Sequence, residues 1–165
     1  MIGEQHIVKV GMAELSVITQ QGLIRTTGLG SCVGLTLFDP ELKLAGLAHV
    51  MLPSASIARE GALNIAKYAD TAIPALFDKL ISIGAVPGRV VAKMAGGAQM
   101  FSFAGRGDSM RIGPRNVESC KIQLEELGIP LLGEDTGGNY GRTIELDSET
   151  GLLYVRSVQM GIKEL

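Results

Sequence analysis

The sequence predicts an α/β (α+β) sandwich, with mixed, mostly antiparallel β-sheet layers and two main flanking helices. Three observations predict it. Short β-type runs outnumber helical segments by roughly three to one. Two longer segments repeat apolar residues at helical spacing, which suits helices that pack on a sheet. Glycine is frequent, with 22 residues against three tyrosines, four phenylalanines and no tryptophan, and this indicates many tight turns and close backbone contacts.

The first strands follow from short runs of β-branched and apolar residues. Gly11 divides the opening run into two strands. Asp39-Pro40-Glu41-Leu42 has the composition of a tight turn, so the runs on either side of it form a hairpin. The strands predicted in this half are His6–Val10, Ala13–Thr19, Leu23–Arg25, Cys32–Phe38 and Lys43–Leu52.

Two helices are predicted. The first lies between about Leu63 and Ile83, with Pro74 either in an early turn or at a kink. The second has Gly113 as N-cap, Pro114 at the first helical position and Gly128 just after the end. Its apolar stripe consists of Val117, Cys120, Leu124 and Leu127.

The remaining strands lie between and after the helices. Val90–Ala95 is a buried strand that ends at Gly96-Gly97. A short strand at Leu131–Leu132 leads into the glycine-rich loop Asp135–Asn139. The last two predicted strands, Thr143–Leu146 and Leu152–Val158, form a hairpin around Ser148–Gly151.

Composition limits the classes of function. The chain of 165 residues reads as one domain, 1–165, with 46% hydrophobic and 19% charged residues. A net charge of −2 does not provide the basic surface that nucleic-acid binding needs. No apolar run is long enough to span a bilayer, and the N-terminal residues do not resemble a secretory signal. We therefore expect a cytoplasmic, monomeric protein with reduced cysteines.

Hairpin geometry brings two reactive side chains together. If the turn is centred on Pro40 and Glu41, then Cys32 lies directly opposite His49. Directly opposed residues in an antiparallel pair have Cβ atoms about 4.5–5.5 Å apart on the same face. A single bulge would move His49 to the other face, so this expectation depends on the register.

A cysteine beside an imidazole is typical of nucleophilic catalysis. The imidazole takes the thiol proton, and a thiolate–imidazolium pair stabilises the reactive form. The preceding loop, Gly28-Leu29-Gly30-Ser31, can direct backbone N–H groups outward as an oxyanion hole, with Gly30 and Ser31 as its residues. A third polar group must orient the site, and the nearest candidates are Thr26, Thr27 and Ser31.

Simpler interpretations stand beside this one. Cys32 could be a small buried apolar residue, and His49 a core histidine with satisfied hydrogen bonds. Cys120, on a helical apolar stripe, is structural, and His6 near the N-terminus is solvated. The loop before Cys32 lacks the lysine of a phosphate-binding loop. Cys32, His49 and His6 do not have the spacing of a metal site.

The sequence resembles the chemoreceptor glutamine deamidases of the CheD family. The likeness begins with Gly-Leu-Gly-Ser-Cys at 28–32 and with His49 inside Ala-His-Val-Met-Leu-Pro at 48–53. It covers about residues 8 to 160, and its motifs are specific only in combination. The further matching segments are 67–72 (KYADTA), 93–101 (KMAGGAQMF), 112–117 (IGPRNV), 134–139 (EDTGGN) and 149–151 (ETG).

The resemblance implies a protein-glutamine deamidase that acts on methyl-accepting chemoreceptors through a Cys thioester, and that also hydrolyses receptor glutamyl methyl esters. It implies the fold of the catalytic domain of cytotoxic necrotizing factor toxins, and neither metal nor organic cofactor. The implied catalytic set is Cys32, His49 and Thr26, with Thr27 as a neighbouring alternative. Pro74 and Pro114 are local departures from the family pattern, and neither falls in the catalytic motif.

The implied partners are the cytoplasmic helices of the receptors and a CheC-type phosphatase. Met100 and Phe101, in a glycine-rich loop, are candidates for the rim that meets substrate or partner, and filling the core is the equal alternative. Two other functions remain open: a chemotaxis adaptor with an inactive site, and a cysteine amidohydrolase of small molecules. A deep polar pocket beside Cys32 would favour the latter.

Overall fold

Two β-sheets and two helices form three layers. The computed structural model describes residues 5–57, 63–100 and 111–165. The first sheet consists, in spatial order, of β1 (Ile7–Lys9), β3 (Leu23–Leu29), β8 (Arg142–Asp147), β9 (Leu153–Ser157) and β10 (Gly161–Glu164). The second consists of β2 (Leu15–Ile18), β5 (Leu44–Val50), β4 (Val33–Asp39), β6 (Val91–Gly96) and β7 (Leu131–Thr136). The helices are α1 (Ala69–Ser82) and α2 (Ile112–Leu127), and short 3₁₀ turns occupy Ala55–Ile57 and Pro87–Arg89.

The sheets are mixed, as the sequence predicts. Among the described strands, β1 with β3 and β6 with β7 pair in parallel, and every other pairing is antiparallel. The α+β class with two flanking helices is therefore confirmed. No helix in the described ranges is both long and apolar enough to cross a membrane.

Two apolar clusters hold the layers together. One lies between the sheets and includes Ile24 of β3, Leu47 of β5 and Ile144 of β8. The other lies between the second sheet and the helices and includes Leu35 of β4 and Ile73 of α1. Because side chains alternate along a strand, the central strands β4 and β5 contribute one face to each cluster.

The predicted register of the β4–β5 hairpin is wrong by two residues. Val33 pairs with Val50 and Gly34 with His49, so Cys32 does not lie directly opposite His49. The cause is a four-residue loop between Asp39 and Leu44. The Asp39 carboxylate accepts hydrogen bonds from the amides of Glu41 and Leu42, and Lys43 adopts a left-handed backbone with φ of 55°. The centre of the turn therefore lies one residue later than predicted.

Both helices differ from their predicted starts. The chain before α1 instead lies beside the segment that follows β5, where the amides of Met51 and Leu52 donate to the Lys67 carbonyl. The helix therefore begins at Ala69 and continues through Pro74. In the second helix, Arg111 occupies the N-cap position, two residues before the predicted Gly113. Gly128 ends this helix with a left-handed φ of 70°, as predicted.

The C-terminal third contains more strand than predicted. β7 runs on through Glu134, Asp135 and Thr136, part of which was expected to be loop, because it pairs in parallel with β6 over this stretch. The hairpin of β8 and β9 is confirmed. β10 follows it as an edge strand that the sequence analysis did not predict.

Candidate active site

Cys32 and His49 lie on the same face of the second sheet despite the shifted register. Gly34, two residues after Cys32, is directly opposite His49. A shift of two residues preserves the side-chain face, so Cys32 becomes a diagonal neighbour of His49. Both side chains belong to the layer between the sheets, since Cys32 packs in that apolar cluster and His49 reaches the facing sheet.

Gly34 leaves the space in front of His49 free of a side chain. A Cβ atom at this position would lie 2.5 Å from Cδ1 of Ile144 and 3.1 Å from Cδ1 of Leu29, both on the facing sheet. A larger residue at this position would therefore force the ends of these two side chains to shift. The close approach brings β3 within reach of the His49 ring.

Thr26 holds the His49 ring from the facing sheet. Its Oγ1 lies 2.7 Å from His49 Nδ1 and 2.7 Å from the Val10 carbonyl oxygen. The carbonyl can only accept, so the single hydroxyl proton of Thr26 goes to Val10. Thr26 then accepts from Nδ1–H, which leaves the Nε2 lone pair available as a base. Nε2 is buried and has no hydrogen-bond partner in the described part of the chain.

The two candidate threonines, Thr26 and Thr27, differ in burial. Thr26 is buried on β3, whereas Thr27 is exposed. The pairing of β3 with β8 shifts register between Thr26 and Leu29, and Gly28 has a left-handed φ of 74° inside this irregular stretch. Such bulges redirect the chain beside functional sites, and this one leads into the loop that carries Cys32.

Burial governs the ionisation of both reactive groups. Cys32 is 7% exposed and His49 is fully buried. Burial raises the pKa of the Cys32 thiol, an effect that its own backbone N–H partly offsets. Burial also lowers the pKa of His49. Both shifts favour a neutral thiol and a neutral imidazole near pH 7.

Alkylation of the two cysteines is expected to show this ionisation. Between pH 7 and 9, the rate constant for Cys32 with iodoacetamide should rise about tenfold per pH unit, because only the thiolate reacts. Cys120 is fully buried, with its pKa raised to about 12, and should stay unlabelled in the folded protein. Peptide mass spectrometry of timed digests measures both. A rate for Cys32 that is already constant below pH 7 would instead indicate a resting thiolate–imidazolium pair.

The backbone around Cys32 is fixed by the turn after β6. The amide of Gly97 donates to the Cys32 carbonyl at 2.8 Å, and the amide of Ala98 donates to the Gly30 carbonyl at 2.9 Å. Gly96 has φ of 113°, and a Cβ atom there would collide with the Cys32 carbonyl oxygen. Glycine at 96 therefore allows the two backbones to touch.

Arg142 supports this turn from below. Its guanidinium is almost fully buried, pairs with Asp135 at 3.2 Å and donates to the Gly137 carbonyl at 2.9 Å. It also lies over the Tyr140 ring, 4.3 Å from the centroid. Gly137 in turn donates to the Gly96 carbonyl at 3.0 Å, so the network reaches the wall beside Cys32.

Of the two residues predicted to form a rim, Met100 lies in the described part of the chain. Met100 is 43% exposed, and its Cγ lies 3.4 Å from where a Cβ at Gly30 would stand. It therefore lies over the loop before Cys32. Phe101, the other rim candidate, lies outside the described residues. His6 is exposed, as expected, and Cys120 packs in the cluster beneath the helices.

The sequence analysis missed two groups that touch the site's backbone. One is Arg142, and the other is Asn116 of α2, whose amide nitrogen bonds the carbonyls of Ser31 and Met51. Both are buried polar residues. Asn116 lies inside 112–117, a segment noted for resemblance, whereas Arg142 lies in none of those segments. A single sequence does not show which backbone a buried side chain will reach.

The chain is similar to curated proteins across almost its whole length. A family model described as CheD chemotactic sensory transduction matches residues 51–157. The chemoreceptor glutamine deamidase CheD of Halalkalibacterium halodurans is 56% identical over 159 residues, which are 96% of this chain and 98% of that protein. The probable chemoreceptor glutamine deamidase CheD of Geobacillus kaustophilus is 54% identical, with 96% of each chain covered. The chemoreceptor glutamine deamidase CheD of Bacillus subtilis is 47% identical, with 98% of each covered.

Proposed function

The chain belongs to the CheD family, and from this premise we propose that it deamidates glutamine side chains of chemoreceptors, with Cys32 as nucleophile, His49 as base and Thr26 as the group that orients the base. The observation that carries the proposal is the hydrogen bond between Thr26 Oγ1 and His49 Nδ1. Because Thr26 accepts from Nδ1–H, the lone pair of the ring lies on Nε2, which is buried without a partner in the described part of the chain. The names of the relatives support the substrate class.

Acylation follows from this arrangement. His49 Nε2 takes the proton of the Cys32 thiol as sulfur attacks the carboxamide carbon, and the carbonyl electron pair moves onto oxygen. The backbone N–H of Cys32 lies beside the sulfur of the same residue. When the sulfur attacks the carboxamide carbon, the oxyanion forms on the oxygen bonded to that carbon, so this N–H is the first donor that we assign to it. The amide of Gly30 already donates to Gly28 at 3.1 Å, so within the expected Gly30–Ser31 loop we assign the second donor to Ser31.

Collapse of the tetrahedral adduct breaks the carbon–nitrogen bond. His49 Nε2–H gives its proton to the departing nitrogen, and ammonia leaves behind a thioester on Cys32. Neutral His49 then takes a proton from water as the water oxygen attacks the thioester. Cleavage of the carbon–sulfur bond returns the proton to sulfur and releases glutamate. A glutamyl methyl ester would follow the same steps with methanol as leaving group, so we include receptor methylesterase activity in the proposal.

The experiment is incubation of a purified receptor cytoplasmic fragment with the protein. Peptide mass spectrometry should show glutamine converted to glutamate at specific positions, and glutamyl methyl esters hydrolysed to glutamate with release of methanol. Binding of the fragment without any conversion would favour a non-catalytic adaptor over the enzyme. For the partner surface, we propose that Met100 contributes to the rim that meets the receptor helix or a CheC-type phosphatase, supported by its exposure above Gly30.

Removal of the Thr26 hydroxyl is expected to slow this reaction. Thr26→Val leaves His49 Nδ1–H and the Val10 carbonyl unpaired in a buried place, at a cost of about 1–3 kcal/mol for such a group. If that cost falls on the transition state, kcat drops roughly 10- to 100-fold. Thr26→Ser keeps the hydroxyl and should retain most activity. Exposed Thr27→Val is the matched control, and an equal loss in that variant would contradict the role given to Thr26.

A further inference from the structure

The chain segments that contain Cys32 and His49 diverge at the site. The ladder between β4 and β5 ends where Val33 pairs with Val50. Beyond it, the Cys32 carbonyl accepts from Gly97 on one side, and the Met51 amide donates to Lys67 on the other. No backbone hydrogen bond of the described chain therefore joins the Cys32 loop directly to the segment after His49.

Asn116 bridges this gap with its side chain. It is fully buried in the second turn of α2. Its Nδ2 lies 3.0 Å from the Ser31 carbonyl oxygen and 3.0 Å from the Met51 carbonyl oxygen. Ser31 immediately precedes Cys32, and Met51 follows His49 by two residues. One amide group thus ties together the two diverging segments.

The orientation of the amide is determined by its partners. Both are carbonyl oxygens, which only accept, so the nitrogen with its two protons must face them. Oδ1 is buried and has no partner in the described part of the chain. The position therefore uses both donors of the amide, a pair of bonds that a hydroxyl, with one proton, cannot make.

A neighbouring residue offers a matched comparison. Ser119 lies three residues later, on the same face of α2, and its Oγ donates to the Pro53 carbonyl at 2.7 Å. It holds the same segment after His49 but does not touch the loop of Cys32. Of these two residues, only Asn116 connects both sides of the site.

We propose that Asn116 is a positioning residue, which sets the separation of Cys32 from His49 by binding the carbonyls of Ser31 and Met51 at the same time. This inference rests on the proposed function and adds a residue to it. Catalysis depends on such spacing, because a misplacement of about 1 Å can reduce the rate about 100-fold. Asn116 itself does not touch the reacting atoms.

The test compares Asn116→Leu, of similar size but without donors, with Ser119→Ala. On a receptor fragment, Asn116→Leu should lower kcat by roughly 10- to 100-fold and leave KM within about twofold. Ser119→Ala should keep kcat within about twofold of the wild type. If Asn116→Leu does not fold, Asn116→Ser, which can bind only one carbonyl, takes its place. Equal losses of kcat in the Asn116 and Ser119 variants, or a rise in KM without a loss of kcat in the Asn116 variant, would overturn the proposal.

A second measurement needs no receptor. The chain has two histidines, so its imidazole NMR signals reduce to those of exposed His6 and buried His49. Alkylation of Cys32 should shift the His49 signals in the wild type and in Ser119→Ala. In the Asn116 variant this shift should fall by at least about half, since the spacing is lost. An unchanged shift in the Asn116 variant would overturn the role of Asn116. This readout does not depend on deamidase activity, so it tests Asn116 separately from the proposed function.

Discussion

Replacing Cys32 by alanine is expected to abolish receptor deamidation. The nucleophile forms the thioester, and loss of a nucleophile in a cooperating catalytic set lowers kcat on the order of 10⁴- to 10⁶-fold. Cys32 is almost fully buried between the sheets, and alanine removes only the sulfur, so the variant should fold. The measurement is the conversion of glutamine to glutamate in a receptor fragment, followed by peptide mass spectrometry.

Cys120→Ala is the matched control for this variant. It also removes one buried sulfur, but from the cluster beneath the helices, away from His49 and Thr26. We expect it to lower the free energy of unfolding by about 1 kcal/mol, through the cavity it leaves, and to retain activity. Full conversion by Cys32→Ala would show that another group attacks the carboxamide, and would refute the assigned nucleophile.

Replacing His49 by glutamine is expected to cost nearly as much activity as loss of the nucleophile. Glutamine can still bond Thr26, but it supplies no base for the thiol and no acid for ammonia. A reduction of kcat on the order of 10⁴-fold or more is therefore expected, and the double variant with Cys32→Ala should be no worse than either single one, because the two residues act as a unit. Rate losses that multiply in the double variant would contradict this linkage.

The same variant should also change the pH dependence of stability. An unfolded histidine has its ordinary pKa of 6.5, whereas burial keeps that of His49 lower. Unfolding therefore takes up a proton below about pH 6.5, and the free energy of unfolding of the wild type should fall as the pH drops through that range. Urea titrations at several pH values measure this slope. His49→Gln should reduce it, and an identical slope in both proteins would show that His49 is not held neutral by the fold.

Much of this fold could be predicted from local patterns. The strands around the Asp39 turn and the C-terminal hairpin followed from short runs of apolar and β-branched residues and from turn chemistry. The end of the second helix followed from Gly128, since a left-handed residue there needs glycine. Such signals are local, because each depends on residues a few positions apart.

The sequence-based predictions of the hairpin register and of the first helix start were wrong where contacts with distant parts of the chain decide the structure. The register of the hairpin depends on Asp39, whose carboxylate also binds Arg89 and the Val86 amide on a separate part of the chain. The start of α1 depends on the pairing of Lys67 with the segment after β5. The pairing of Cys32 with His49 on one face survived the wrong register only because the error was an even number of residues.

The base and the hydroxyl that orients it come from different sheets, since His49 lies on β5 and Thr26 on β3. In the proposed mechanism, enzyme activity therefore requires that the two sheets are packed against each other. A folding intermediate with both sheets formed but not yet joined would have a native-like far-UV circular dichroism spectrum and no turnover. During refolding, recovered activity should lag behind secondary structure and coincide with the exclusion of water from the layer between the sheets.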